Sequence, residues 1–90
     1  MLKGLNSDIN VKGKMYHIQT EDWGTVNPFL VSRIFCDGAV LKSFKTSYEK
    51  IFPQKSSIDK RPVYDEETLK RALNKQHFQI LDLLVSGNLF

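Results

Sequence analysis

The sequence predicts an α+β fold, a four-stranded antiparallel meander sheet followed by one C-terminal helix packed on one face. Three observations carry it. Side chains over residues 5–46 follow a period of two, the spacing at which successive residues face opposite sides of a sheet. Within that stretch Asp37-Gly38 lies between two apolar runs, one of the strongest short-range hairpin signals. From Asp65 onward the period becomes helical, about 100° per residue.

The first hairpin is expected at 7–11 and 14–20, joined at Lys12-Gly13, where glycine supplies the positive φ of a tight turn. In that register Ile9 faces Tyr16, Ile18 extends the same face, and Asp8 faces His17 on the other. The second hairpin is expected at Phe29–Cys36 and 39–46. A two-residue turn there pairs Cys36 with Ala39, Phe35 with Val40, Ile34 with Leu41, Arg33 with Lys42, Ser32 with Ser43 and Val31 with Phe44. One face then reads Leu30, Ser32, Ile34, Leu41 and Ser43. The other reads Phe29, Val31, Arg33, Phe35, Val40, Lys42 and Phe44, so both are partly apolar.

Residues 21–28 hold Gly24, Asn27 and Pro28 and read as a loop, with Pro28 disfavouring helix at Asn27. Tyr48–Ile51 reads as a short turn. Residues 52–63, with Pro53, Pro62, Ser56-Ser57 and Lys60-Arg61, read as a surface connection. Asp65 is a helix N-cap, Glu66 and Glu67 complement the positive end of the helix dipole, and Gly87 is the stop. The chain is expected to be one domain over 1–90, with the sheet at 5–46, the connection at 47–64 and the helix at 65–86.

Ninety residues bury only about two-thirds of their unfolded surface, so such a domain gains from reinforcement. A single cysteine, Cys36, excludes an intrachain disulfide, and no Cys/His cluster has zinc spacing. Oligomerisation is the reinforcement left. The first eleven residues carry no basic start followed by an apolar core, and no window approaches 18 apolar residues. The expectation is a cytoplasmic protein with no membrane partner. A net charge of +3 and a pI of 9.1 permit contact with phosphates but are far from a dedicated nucleic-acid-binding face.

The helix carries apolar residues on two sides. Leu69, Ala72, Leu73, Ile80, Leu83 and Leu84 form the stripe expected to close the core, and Phe78, Leu81 and Val85 form a second stripe roughly opposite. Apolar area in excess of one small core points to a non-enzymatic protein-protein interaction module, covered by a second copy of the chain as a homodimer or, as the alternative, by another protein. Its contact residues are expected to be Phe78, Leu81, Val85, Leu89 and Phe90, with Phe35, Val40 and Phe44 on the outer sheet face.

Chemistry is sparsely signalled. His17, Gln19 and Glu21 project from one strand face, with imidazole and carboxylate about 13 Å apart, too far for a direct dyad. A metal site there would need further ligands, Asp8 or His77, which no spacing demands. No nucleophile sits on a glycine-flanked turn, Cys36 reads as a small strand-end residue, and the five glycines are scattered. No enzyme, metal or cofactor is expected. His77, between the helix stripes, reads as an edge-of-core histidine. Two other classes stay open. One is single-stranded nucleic-acid binding through Phe29, Arg33, Phe35, Lys42 and Phe44; the other is a small regulatory ligand-binding domain using His17, Glu21 and His77.

The run Tyr16-His17-Ile18-Gln19-Thr20-Glu21-Asp22, then Asn27-Pro28, Gly38, Thr46-x-Tyr48 and Gln76-His77 with Leu81, Leu84 and Gly87 resembles a family of small uncharacterised bacterial proteins. The shared pattern is YHVQTED, NP, G, TxY and QH, and the resemblance spans nearly the whole chain. It implies a bacterial cytoplasmic protein and lends no activity. The polar block of His17, Gln19, Thr20 and Glu21 and the Gln76-His77 pair form either one contact surface or site, or a hydrogen-bond lock between sheet and helix. The lock is the favoured expectation.

Overall fold

The computed structural model of the chain describes residues 2–52 and 64–90. Strands β1 (Leu5–Val11), β2 (Lys14–Asp22), β3 (Phe29–Cys36) and β4 (Ala39–Ser47) form one antiparallel sheet in the order β1-β2-β3-β4. A short helix α1 (Tyr48–Ile51) and a long helix α2 (Glu66–Ser86) follow, and α2 packs on one face of the sheet. The fold is therefore the expected α+β meander with a C-terminal helix. Of the connection, the stretch with Pro53, Ser56-Ser57, Lys60-Arg61 and Pro62 lies outside the described residues.

Both hairpin turns have positive φ at their two central residues, Lys12 (52°) with Gly13 (85°) and Asp37 (52°) with Gly38 (78°). That is the type I′ geometry, whose twist matches the flanking strands. The Asn10 side chain also accepts a hydrogen bond from the Gly13 amide at 3.0 Å. In the first hairpin Ile9 faces Tyr16 and Asp8 faces His17 as expected, and the ladder continues beyond the expected ends to Leu5 opposite Thr20. Gly4 permits this, since a Cβ there would stand 2.9 Å from the Thr20 carbonyl oxygen.

The second hairpin departs from the expected register. Cys36 faces Ala39 and Phe35 faces Val40, but Ile34 then faces Lys42, Arg33 faces Ser43 and Ser32 faces Phe44. Leu41 is an extra residue, a β-bulge, and beyond it the faces of β4 are exchanged. Phe44 lies on the helix side, packed against the core, instead of on the outer face. An unbroken ladder would have turned its ring to solvent, forfeiting roughly 2 kcal/mol or more of burial.

Helix α2 starts at Asp65, whose carboxylate accepts from the Thr68 amide (3.2 Å) and hydroxyl (2.6 Å). It ends in a Schellman turn. Gly87 is left-handed, its amide donates to the Leu84 carbonyl, and the Asn88 amide donates to the Leu83 carbonyl. The reversal carries Leu89 back under the helix.

The core is in two parts. Ile18, Ile34, Ile80, Leu84 and Leu89 form one cluster, edged by Ile9, Val11, Tyr16, Phe44 and Leu81. Leu30, Tyr48, Leu69 and Leu73 form the other. Leu83, expected in the core stripe, is exposed, because the helix is rolled toward His77 and Leu84. At Gly38 a Cβ would meet nothing within 4 Å, so Gly38→Ala costs backbone strain alone, about 1 kcal/mol. Thermal denaturation should show Tm lower by roughly 4–8 °C.

Candidate functional site

Between the two apolar clusters runs a belt of polar side chains. His77, 1% exposed, occupies the helix position between Leu73 and Ile80. Its Nδ1 lies 2.7 Å from Thr20 Oγ1 and its Nε2 2.8 Å from Ser7 Oγ. Thr20 Oγ1 lies 2.8 Å from Ser32 Oγ, which accepts from Gln76 Nε2 at 2.8 Å. Gln76 Nε2 also reaches the Leu30 carbonyl at 3.4 Å.

Chemistry sets the direction of this chain. The Leu30 carbonyl only accepts, so the amide nitrogen of Gln76 faces it and donates to Ser32. Ser32 is then free to donate to Thr20, Thr20 to His77 Nδ1, and His77 Nε2–H to Ser7. Every hydroxyl between Gln76 and His77 both donates and accepts only in this order, which assigns the Nε2–H tautomer. Among the described residues Gln76 Oε1 is the one buried side-chain polar atom without a partner. Burial, with a smaller contribution from His17, holds the His77 imidazole below its ordinary value of 6.5, so it is neutral in the fold.

The expected lock between sheet and helix is therefore present with other members. Gln76, His77 and Thr20 belong to it, whereas His17, Gln19 and Glu21 do not. The cause is strand parity, since residues 17, 19 and 21 face away from the helix and 18, 20 and 22 toward it. His77 sits at the centre of the packed face, not at its edge. Ser7 and Ser32 complete the belt beyond the expected members; each is a polar residue between apolar neighbours two positions away on the helix side, Leu5 and Ile9 for Ser7, Leu30 and Ile34 for Ser32.

On the outer face His17 Nδ1 lies 2.8 Å from Asp8 Oδ1, and its ring centroid 6.0 Å from that of Phe35. Trp23 folds back onto this face. Its amide donates to the Phe29 carbonyl at 3.0 Å, and the Arg33 guanidinium and Lys45 ammonium lie 5.5 and 5.1 Å from its ring centroid. Val31 stands directly opposite Lys45 in the ladder and is buried although it faces away from the helix. Lys42 and Phe44 leave this face with the bulge. The aromatic and cationic groups remaining on it are Phe29, Arg33, Phe35, Lys45 and Trp23.

A cleft of about 460 Å³ is lined by Asp22, Trp23, Tyr48, Tyr64, Glu66 and Leu69. Asp22 is buried and already partnered by the Tyr48 hydroxyl, the Gly24 amide at 3.0 Å and the Leu2 amide at 3.1 Å. Burial alone raises its carboxyl, but these donors outweigh it and hold Asp22 below the ordinary carboxylate range. Burial, then the bond to Asp22, pushes the Tyr48 hydroxyl up. The carboxylate acts as a clamp joining β2, the following loop and α1.

Of the expected contact residues, Phe78 (55%), Val85 (58%) and Phe90 (65%) are exposed, as is Val40. Leu81 is half-buried against the core, and Phe35 is half-buried beside His17. Leu89 is corrected from contact residue to core, because the Schellman turn buries it to 8% exposure. Phe90 stacks on Tyr16 with centroids 6.2 Å apart.

The fold and its polar belt define a small sheet-and-helix domain whose buried histidine is enclosed by protein. Among the described residues no group of three or more His, Cys, Asp or Glu could hold a metal ion, and no helix is long and apolar enough to cross a membrane. Compared with family models, curated proteins and solved structures, the chain matches none.

His77→Ala opens a cavity and strands the Thr20 and Ser7 hydroxyls, so chemical denaturation should show a loss of about 2–4 kcal/mol. Because the folded His77 pKa is depressed, the unfolded chain binds more protons, and stability rises with pH. The His77 contribution is complete above 6.5 and is lost as pH falls below it; the Asp22 contribution is complete above 3.8 and is lost below that. An NMR titration of the His77 ring should give a midpoint below 6.5, accompanied by falling Tm from pH 7 to pH 5.

Proposed function

We propose that the chain is a non-enzymatic interaction module that forms a homodimer through the Phe78, Leu81 and Val85 stripe of α2. The observation that carries it is a flank of α2 whose members from Asn74 to Val85 carry no charge. Asn74, Phe78, Leu81 and Val85 recur at i, i+4, i+7 and i+11, the spacing of one helix face, and Phe78 and Val85 are both more than half exposed. Large apolar side chains grouped on one flank gain by being covered. Cytoplasmic location belongs to the same proposal, since a reducing compartment suits the free Cys36.

A second reading is single-stranded nucleic-acid binding on the outer face, favoured by Trp23 lying between Arg33 and Lys45 with Phe29 beside Lys45. Glu21 and Asp8 share that face and weaken its positive field. Salt-sensitive retention of a single-stranded oligonucleotide in a mobility-shift assay supports this reading, and its absence removes it.

Sedimentation equilibrium tests the dimer. Phe78→Glu alters an exposed side chain, so folding should be retained within about 0.5 kcal/mol, while the dimer Kd should rise by about 30-fold or more. A wild-type chain that sediments as a monomer at high micromolar concentration overturns the proposal.

A further inference from the structure

We infer that the second copy docks by antiparallel pairing of β1 with its own β1, about a two-fold axis beside Ile9. The two sheets then form one of eight strands, and the two α2 helices lie side by side. This rests on the homodimer reading above and specifies its geometry.

The two sheet edges differ in a way that points to β1. The β4 edge carries the Leu41 bulge together with Lys42 and Lys45, devices that discourage another strand from pairing. β1, Leu-Asn-Ser-Asp-Ile-Asn-Val, has no proline, no lysine and no bulge. A two-residue turn closes on a hydrogen-bonded pair, here Val11 and Lys14, and the alternation of an antiparallel ladder then aims the peptide groups of Asn6, Asp8 and Asn10 outward. Among the described residues they form an unfilled hydrogen-bonding edge.

The apolar stripe overhangs that same edge. Gln76 reaches Ser32 on β3 and His77 reaches Ser7 on β1, which fixes how α2 is rolled over the sheet. Continuing round the helix from Gln76 past His77 leads to Leu81, Val85 and Phe78, so these lie on the β1 side. Val85 accordingly lines a cavity with Val11, Lys14 and Tyr16.

Position along the strand selects the register. Leu81 is four residues beyond His77, about 6 Å along the helix, which equals about two strand residues beyond Ser7 and sets it level with Ile9. A two-fold axis at Ile9 brings Leu81 to the second copy's Leu81, and Phe78 to the second copy's Val85, large against small. Asp8 then faces the second copy's Asn10, whereas an axis at Asp8 would set two carboxylates opposite each other. With strands about 4.8 Å apart, helices centred over β2 stand roughly 14 Å apart, wider than the about 8–10 Å of closely packed helices, so contact across the groove falls to the side chains that overhang β1, Phe78, Leu81 and Val85.

In a Cys36→Ser background, Ile9→Cys should oxidise to a disulfide-linked dimer, because directly opposed residues of a non-hydrogen-bonded pair bring their Cβ atoms to about 5 Å. Val11→Cys, facing the second copy's Ser7, should not. Asp8→Pro removes an outward amide without breaking the β1-β2 ladder and should raise the dimer Kd about tenfold or more in sedimentation, whereas Asp8→Asn should leave it unchanged. A dimer that cross-links at Val11→Cys, or at neither position while Asp8→Pro leaves its Kd intact, overturns edge pairing and leaves the homodimer standing. A wild-type monomer at high micromolar concentration overturns both.

Discussion

A histidine buried at the middle of a helix's packed face has to find two hydrogen-bond partners in the sheet beneath it, and here Thr20 and Ser7 are those partners. An unmatched donor or acceptor at that depth costs about 1–3 kcal/mol. Sliding α2 by one residue, or rolling it so that Gln76 or Phe78 replaced His77, would leave four polar groups of the belt unmatched at once. The apolar clusters on either side tolerate small shifts, because Leu and Ile contacts are not directional. Position along the sheet is therefore set by the belt, and adhesion by the clusters.

Several other features follow once α2 is fixed. Helix roll places Leu84 inward and Leu83 outward, and it carries the Schellman turn to where Leu89 can enter the cluster of Ile18, Ile34, Ile80 and Leu84. That cluster needs an aromatic side chain from β4, which the Leu41 bulge supplies by turning Phe44 inward. At the other end Asp22, held ionised by three donors, ties the end of β2 to α1 and fixes the wall against which Leu69 and Leu73 pack. The same roll leaves Phe78, Leu81 and Val85 over the β1 edge.

The elements were legible because their signals are local. Asp37-Gly38, Lys12-Gly13, Asp65 and Gly87 each act through their own backbone geometry, and all four do what their residue types dictate. The β4 register was not legible. Its hydrophobicity alternates acceptably either way, and only the demand of the core for Phe44 selects the bulge. The belt was half legible. Gln76, His77 and Thr20 stood out as polar residues, but His17, Gln19 and Glu21 were grouped with Thr20 by adjacency, although neighbours on a strand face opposite sides. Ser7 and Ser32 carried the relevant signal, a hydroxyl between two apolar residues on the same face, present on both β1 and β3. Burial of Leu89 needed the path of the chain after Gly87.

A double-mutant cycle between His77 and Thr20 tests most directly whether the belt positions the helix. His77→Phe, Thr20→Val and the double variant would be compared with the wild type by chemical denaturation. The belt account gives a coupling free energy of about 1–2 kcal/mol, each single change stranding the partner that the double change removes. Single losses that add to within about 0.5 kcal/mol would mean that the two side chains stand side by side without depending on each other, and would contradict it.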